Sequence, residues 1–310
     1  MPFARQQNRT TSPASIGYIV FMDEARPSGA KSDSDLRGDY SNIADDYTVP
    51  QDWSAYDKVE HDRWRRLYAR QAGLVEHYAA RPFLQGLAML DAAGAIPDFE
   101  KTNRILADAT GWHIVCVPGF IPDAQFFDHL ANRRFPVTRW IREEHELDYL
   151  VEPDLFHDFF GHVPMLLQPT FADFLVLYGK AGAKAMRMDA LDMLARIYWY
   201  TAEFGLMEED GALKAIGAGM LSSSGETVFS VTDPDVLRLP FDPERIMRTA
   251  YRIDDFQQVY FVLESLEQLI DGLMGLDFTP IYEKYRVDEG FEPSRLLPGE
   301  SAWTSEKEAT

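Results

Sequence analysis

The stretch EPDLFHDFFGHVP, residues 152–164, constrains the fold more than any other part of the chain. It is too apolar to lie in solvent, yet it carries His157, His162, Asp154 and Asp158. Buried polar groups need hydrogen bonds, a counter-charge or a metal, so whatever packs here must supply them. The spacing adds a second demand. Each residue of an α-helix turns by about 100°, so imidazoles five residues apart point about 140° away from each other. The zinc-protease pattern H-E-x-x-H avoids this with a spacing one residue shorter. Here Pro153 and Asp154 make a good helix start, while Gly161 and Pro164 offer a break. A short helix from about Asp154 that loosens at Gly161 brings both rings to one point. Two core histidines satisfied by hydrogen bonds are the competing reading.

A third polar residue stands in an equally apolar setting. ARIYWYTAEFGLM, residues 195–207, holds Glu203 as its one acid among aromatic and aliphatic side chains. Burying an unpaired carboxylate costs several kcal/mol, so a buried Glu203 requires a cation or strong donors. Trp199 lies four residues earlier, on the same face of an α-helix. Two histidines and one carboxylate make the facial triad of non-haem Fe(II) oxygenases, with open positions for O2 and co-substrate. Zinc hydrolases use overlapping ligands, but H-E-x-x-H, with its glutamate base, is absent. Composition alone does not separate the two metals.

The net charge of −20 disfavours nucleic acid and anionic lipid as partners. The one cysteine, Cys116, sits in the apolar run HIVCVPGF, which excludes an internal disulfide and suits a core position. YIVFM, residues 18–22, is too short for a signal peptide's apolar core or a membrane span, so the chain reads as cytoplasmic.

Periodicity predicts a mostly α fold with a few short strands in one catalytic domain, residues 49–292. An irregular arm, 1–48, precedes it and a flexible tail, 293–310, follows. Helices are predicted over Tyr56–Ala80, 82–92, 97–110, Pro122–Arg133, 170–185, 189–207, 243–250 and 256–274, the last long and amphipathic. Strands are predicted over Trp112–Val117 and Phe135–Ile141, and GAGMLSSSGE, residues 217–226, reads as a Gly/Ser-rich loop.

EPDLFHDFFGHVP, IYWYTAEFGL and GAGMLSSSGE, in this order, resemble the pterin-dependent aromatic amino acid hydroxylases over roughly residues 45–275. The resemblance implies a catalytic core of that family's type, without the regulatory domain and tetramerisation helix of animal members, and hence a monomer. It implies Fe(II) held by His157, His162 and Glu203, with tetrahydrobiopterin or a related tetrahydropterin as the second cofactor. Arg142, fifteen residues before His157, matches the family's arginine for the substrate carboxylate, a role that suits a guanidinium fork. Trp199 matches the aromatic wall of the substrate pocket, Ser222 a serine that orients the first histidine, and Gly219 a loop residue near substrate. Phe126 matches the ring on which pterin stacks, with Val117, Gly119 and Ile121 alongside. Read alone, Phe126 is a core ring and Arg142 a surface charge.

Asp158 stands where animal members have a glutamate that approaches the pterin, and Leu150 where a threonine often holds the substrate's amino acid head. Ile253 matches a position that is aliphatic in enzymes acting on phenylalanine and acidic in those acting on tyrosine. The resemblance therefore implies hydroxylation of phenylalanine to tyrosine with O2, with tryptophan as the alternative substrate. A zinc hydrolase on the same ligands is a more distant alternative.

Overall fold

The computed structural model describes residues 37–148, 150, 152–253, 255–274, 277–288 and 290–304. YIVFM and most of the predicted arm lie outside the described residues.

The first half of the chain builds one wall of helices. Helix α1, Lys58–Tyr78, starts at a capping box: Asp57 accepts from the backbone of Val59 and Glu60, and the Glu60 side chain accepts from Asp57 N–H. It buries Trp64, Leu67, Gln71 and Val75 at helical spacing, and the Trp64 indole donates to Ala92 O at 2.7 Å. Helices α2, Arg81–Leu90, and α3, Phe99–Thr110, follow, the latter ended by Gly111 at φ 73°. Strand β1, His113–Val117, helix α4, Asp123–Ala131, and strand β2, Arg134–Thr138, then form a parallel β-α-β unit. Cys116 is buried in β1 as its apolar neighbours require.

Two long helical stretches cross the centre: α5, Pro169–Arg187, and α6, Leu191–Tyr198. The helix predicted over 189–207 stops at residue 203, because Trp199–Glu203 is a π-helical turn and Leu206–Glu209 is strand β3.

The second half differs most from expectation. A four-stranded sheet runs in the order β4-β3-β6-β5, with β4 at Ala212–Ala215, β5 at Leu237–Pro240 and β6 at Val259–Leu263. The long helix predicted over 256–274 is therefore strand β6 followed by a separate helix, α10, Glu267–Met274. Strand β6 lies between two parallel neighbours and is buried along its whole length, so VYFVL is continuously apolar. Such a run cannot be told from a buried helix by periodicity. The predicted loop 217–226 is also helical: α7, Ala218–Leu221, and α8, Ser224–Thr232, meet at Ser223. Helices α9, Pro243–Met247, and α11, Thr279–Tyr285, complete the second half.

The tail expected to fray from residue 293 is held by the domain as far as Trp303. Buried Arg245 donates to Arg295 O at 2.6 Å and to Glu300 at 2.8 Å. Trp303 N–H donates to Arg238 O in β5 at 2.7 Å. Deleting residues 294–310 leaves Arg245 Nε and Nη2 unmatched, at about 1–3 kcal/mol for a buried orphan. The melting temperature, read by circular dichroism, should fall by at least about 3 °C; a frayed tail would leave it unchanged.

Candidate metal centre

The two histidines converge by a route other than the predicted one. Residues His157–His162 form a π-helical turn, whose i→i+5 pattern stacks residues five apart. The chain does not loosen at Gly161; the turn itself is one residue wider. Gly161 serves a different purpose: a Cβ there would stand 2.8 Å from the Ala218 Cβ and 2.9 Å from its carbonyl. The glycine admits α7 against the turn.

The third ligand candidate sits on the other π-helical turn. Phe204 N–H donates to Trp199 O at 2.8 Å, a five-residue step that swings Glu203 inward. Trp199 therefore does not share the α-helical face of Glu203 expected from their spacing; its ring stacks on Tyr251 at 4.4 Å and meets Phe204 at 4.7 Å. Gly217 presses on the Glu203 carbonyl where no side chain would fit. Helix α7 is thus wedged between the two turns.

Glu203 lies 3.0 Å from His162 Nε2 and 3.6 Å from His157 Nε2. One ligand atom from each of the three residues falls within 4.8 Å of the others, so the group could hold a metal ion. Burial opposes ionisation of Glu203, but the charge and hydrogen bond of His162, with His157 and the Gly219 N–H, hold its carboxyl below the usual range. Burial also pushes His157 down to about 4, which keeps its ring neutral at physiological pH. Ser222 settles which nitrogen faces the centre. Its hydroxyl donates to Ala218 O at 2.8 Å, so its oxygen must accept from His157 Nδ1–H at 2.9 Å. Nε2 is then left with its lone pair toward Glu203 and a metal. Two imidazoles and a carboxylate suit a divalent transition metal.

Arg142 is buried and clamped. Its Nε and Nη2 donate to the two oxygens of Asp154 at 2.9 and 2.8 Å, and Asp154 also accepts Arg142 N–H and His157 N–H. Burial opposes ionisation of Asp154, yet Arg142 holds its carboxyl below the usual value. Asp154 was legible only as a helix cap; its partnership with Arg142 comes from the fold. Tyr198, stacked on His162 at 6.0 Å, and Gln257, which accepts the Trp199 indole N–H at 3.0 Å, carried no sequence signal.

Several expected contacts are not open. Phe126 is 0% exposed, with its ring edge-on to Phe127 and Tyr198, and offers no free face for a stacked pterin. Val117 and Ile121 are likewise buried. Gly119 is covered by the end of the arm, with Arg37 O and Tyr40 Oη each 2.9 Å from where its Cβ would stand. Asp158 is wholly buried and accepts Thr138 N–H at 2.7 Å, an anchor to β2 rather than a reach toward a ligand. Ile253 is 47% exposed on the 251–257 loop instead of lining a pocket. Leu150 is half-buried.

A family model described as "Biopterin-dependent aromatic amino acid hydroxylase" matches residues 23–287. The chain belongs to that family. The hydroxylase is 49% identical over 260 residues to the phenylalanine-4-hydroxylase of Caulobacter vibrioides, covering 84% of this chain and 88% of that one. It is 46% identical over 303 residues to the phenylalanine-4-hydroxylase of Ralstonia nicotianae, covering 97% and 95%. The iron- and phenylalanine-bound crystal structure of phenylalanine hydroxylase from Chromobacterium violaceum superposes with a TM-score of 0.80 at 46% identity, over 87% of this chain and 97% of that chain.

Two measurements test the electrostatics of the centre. Ser222→Ala frees the His157 ring and should weaken Fe(II) binding by about 10–100-fold in a metal titration. Glu226, buried behind Trp199, accepts Gln257 N–H at 3.0 Å and Tyr260 Oη–H at 2.8 Å, and burial pushes it up to about 7. The folded state then holds its proton more tightly than the unfolded one, whose value is near 4.5. This stability is full below that value and is lost as pH rises through about 7, by at most about 3 kcal/mol. Denaturant midpoints of Glu226→Gln should be flatter than wild type across that window.

Proposed function

We propose that this chain is an iron- and tetrahydropterin-dependent phenylalanine 4-monooxygenase, converting L-phenylalanine to L-tyrosine with O2. The observation that carries the reading is the convergence of His157, His162 and Glu203 to within 4.8 Å in a chain of the biopterin-dependent family. The choice of phenylalanine rests on the names of its relatives. One atom of O2 is added to the ring and the other leaves as water, with the pterin as two-electron donor.

His157, His162 and Glu203 would hold Fe(II) on one face and leave the opposite positions open. The iron and reduced pterin, when bound, supply the activation of O2, which no side chain provides. The protein's own part is binding, orientation and exclusion of water. Arg142, held rigid by Asp154 through Nε and Nη2, keeps Nη1 for the substrate carboxylate. Trp199, stacked on Tyr251 and tilted against Phe204, stands where the family has the aromatic wall of the substrate pocket. Gly219 borders the substrate side, Ile253 would join it only by turning inward from solvent, and Ser222 keeps His157 in the ligating tautomer. Pterin beside Val117, Gly119, Ile121 and Phe126 requires the Arg37–Tyr40 segment to move off Gly119, and Asp158 reaches it only by leaving Thr138. The enzyme acts as a cytoplasmic monomer; no helix among the described residues is long and apolar enough to cross a membrane.

The test is one assay of the purified chain with Fe(II), tetrahydropterin, O2 and each aromatic amino acid. Tyrosine should form from phenylalanine only when iron and pterin are both present. Formation of 5-hydroxytryptophan in preference, or pterin-independent hydrolysis with zinc, would replace the reading. Glu203→Ala should lose iron by metal analysis and at least about 100-fold in turnover while its circular dichroism stays that of wild type.

A further inference from the structure

Gln257 is 2% exposed and stands just before β6, where nothing in the sequence marks it. Three hydrogen bonds engage its side-chain amide. Oε1 accepts the Trp199 indole N–H at 3.0 Å and Arg252 N–H at 3.3 Å, while Nε2 donates to Arg252 O at 2.6 Å. It therefore occupies both backbone polar groups of Arg252, as a neighbouring strand would, and closes the 252–257 segment on itself. Its own backbone N–H is tied to the buried carboxyl of Glu226.

The groups joined in this way adjoin Trp199. Tyr251, next to Arg252, is the ring stacked on Trp199. Ile253, next to Arg252 on the other side, is exposed. Phe256 anchors the far end of the loop by packing on Phe229 at 5.2 Å and closing against Gly225, where a Cβ would stand 2.7 Å from its ring. Without Gln257, the indole N–H would be a buried donor with no partner, and Trp199 would lose the contact that fixes its rotation about the stack.

We propose that Gln257 is a positioning residue for the substrate ring: one amide holds the plane of Trp199 and the loop carrying Ile253 in a single arrangement that selects phenylalanine over the larger tryptophan. The inference rests on the hydroxylase reading of the site. A buried amide that served only the fold would change stability, not selectivity, when replaced.

The experiment uses the full chain loaded with iron and assayed with tetrahydropterin, comparing wild type, Gln257→Met, Trp199→Phe and the double variant. Gln257→Met should raise KM for phenylalanine roughly tenfold, leave KM for the pterin within about twofold, and lower the phenylalanine-over-tryptophan ratio of kcat/KM. Because both single changes break the same bond, the double variant should lose less than the product of their separate losses. Hydrogen exchange of peptides spanning 250–258 should quicken in Gln257→Met and stay at the wild-type rate in Trp199→Phe. Multiplicative losses, or unchanged KM and selectivity in Gln257→Met, overturn the assignment. If that variant does not fold, Gln257→Glu keeps the acceptor for the indole and loses the donor to Arg252. It should show faster loop exchange and reduced selectivity, and wild-type values of both overturn the proposal. Tyrosine formation by wild type with unaltered Gln257 variants refutes this inference alone; no tyrosine from wild type refutes the hydroxylase reading and this inference with it.

Discussion

A carboxylate buried among aromatic rings is the constraint around which the centre of this protein is built. Glu203 cannot remain ionised in that setting without partners, and the Gly219 N–H and His162 Nε2, with His157 alongside, provide them. Bringing them together needs a π-helical turn under each ligand segment, since an α-helix would aim residues five apart in different directions. Two widened turns leave room between them, and helix α7 fills it, approaching Gly161 on one side and the Glu203 backbone through Gly217 on the other. The same wedge delivers Ser222 to His157. The glycines, the serine and the three ligand candidates are thus parts of one packing solution.

Around that solution, each wall of the site is held by a buried polar side chain with several partners. Asp154 joins Arg142 to the turn that bears His157, through both carboxylate oxygens and two backbone N–H groups. Gln257 does the corresponding task on the opposite side for Trp199 and Arg252. Such groups are costly when half satisfied and rigid when fully satisfied, which is the property a ring-orienting site needs.

Much of the helical half was legible, because its elements carry local signals. The periodicity over Tyr56–Ala80 and 97–110 places α1 and α3 within two residues of their observed ends. The sheet was not, since VYFVL is buried on both faces and shows no alternation. Phe126 and Ile253 show the limit for the site. Their positions along the chain match a family pattern, but whether a ring is exposed or a loop residue points inward depends on what packs there. Here Tyr198 and Phe127 enclose Phe126, and Ile253 stands in solvent.

By itself the sequence determined the donor set, the polar residues that must be buried with partners, and the order of three linked motifs. Those are properties of residue type and spacing, which burial energetics make readable without coordinates. Only the tertiary structure decided how His157 and His162 meet, that Asp154 clamps Arg142 and Gln257 the Trp199 indole, and that the arm's end covers Gly119. Each of these joins segments distant in the chain, or changes a helix by one residue per turn, and neither leaves a local pattern in the sequence.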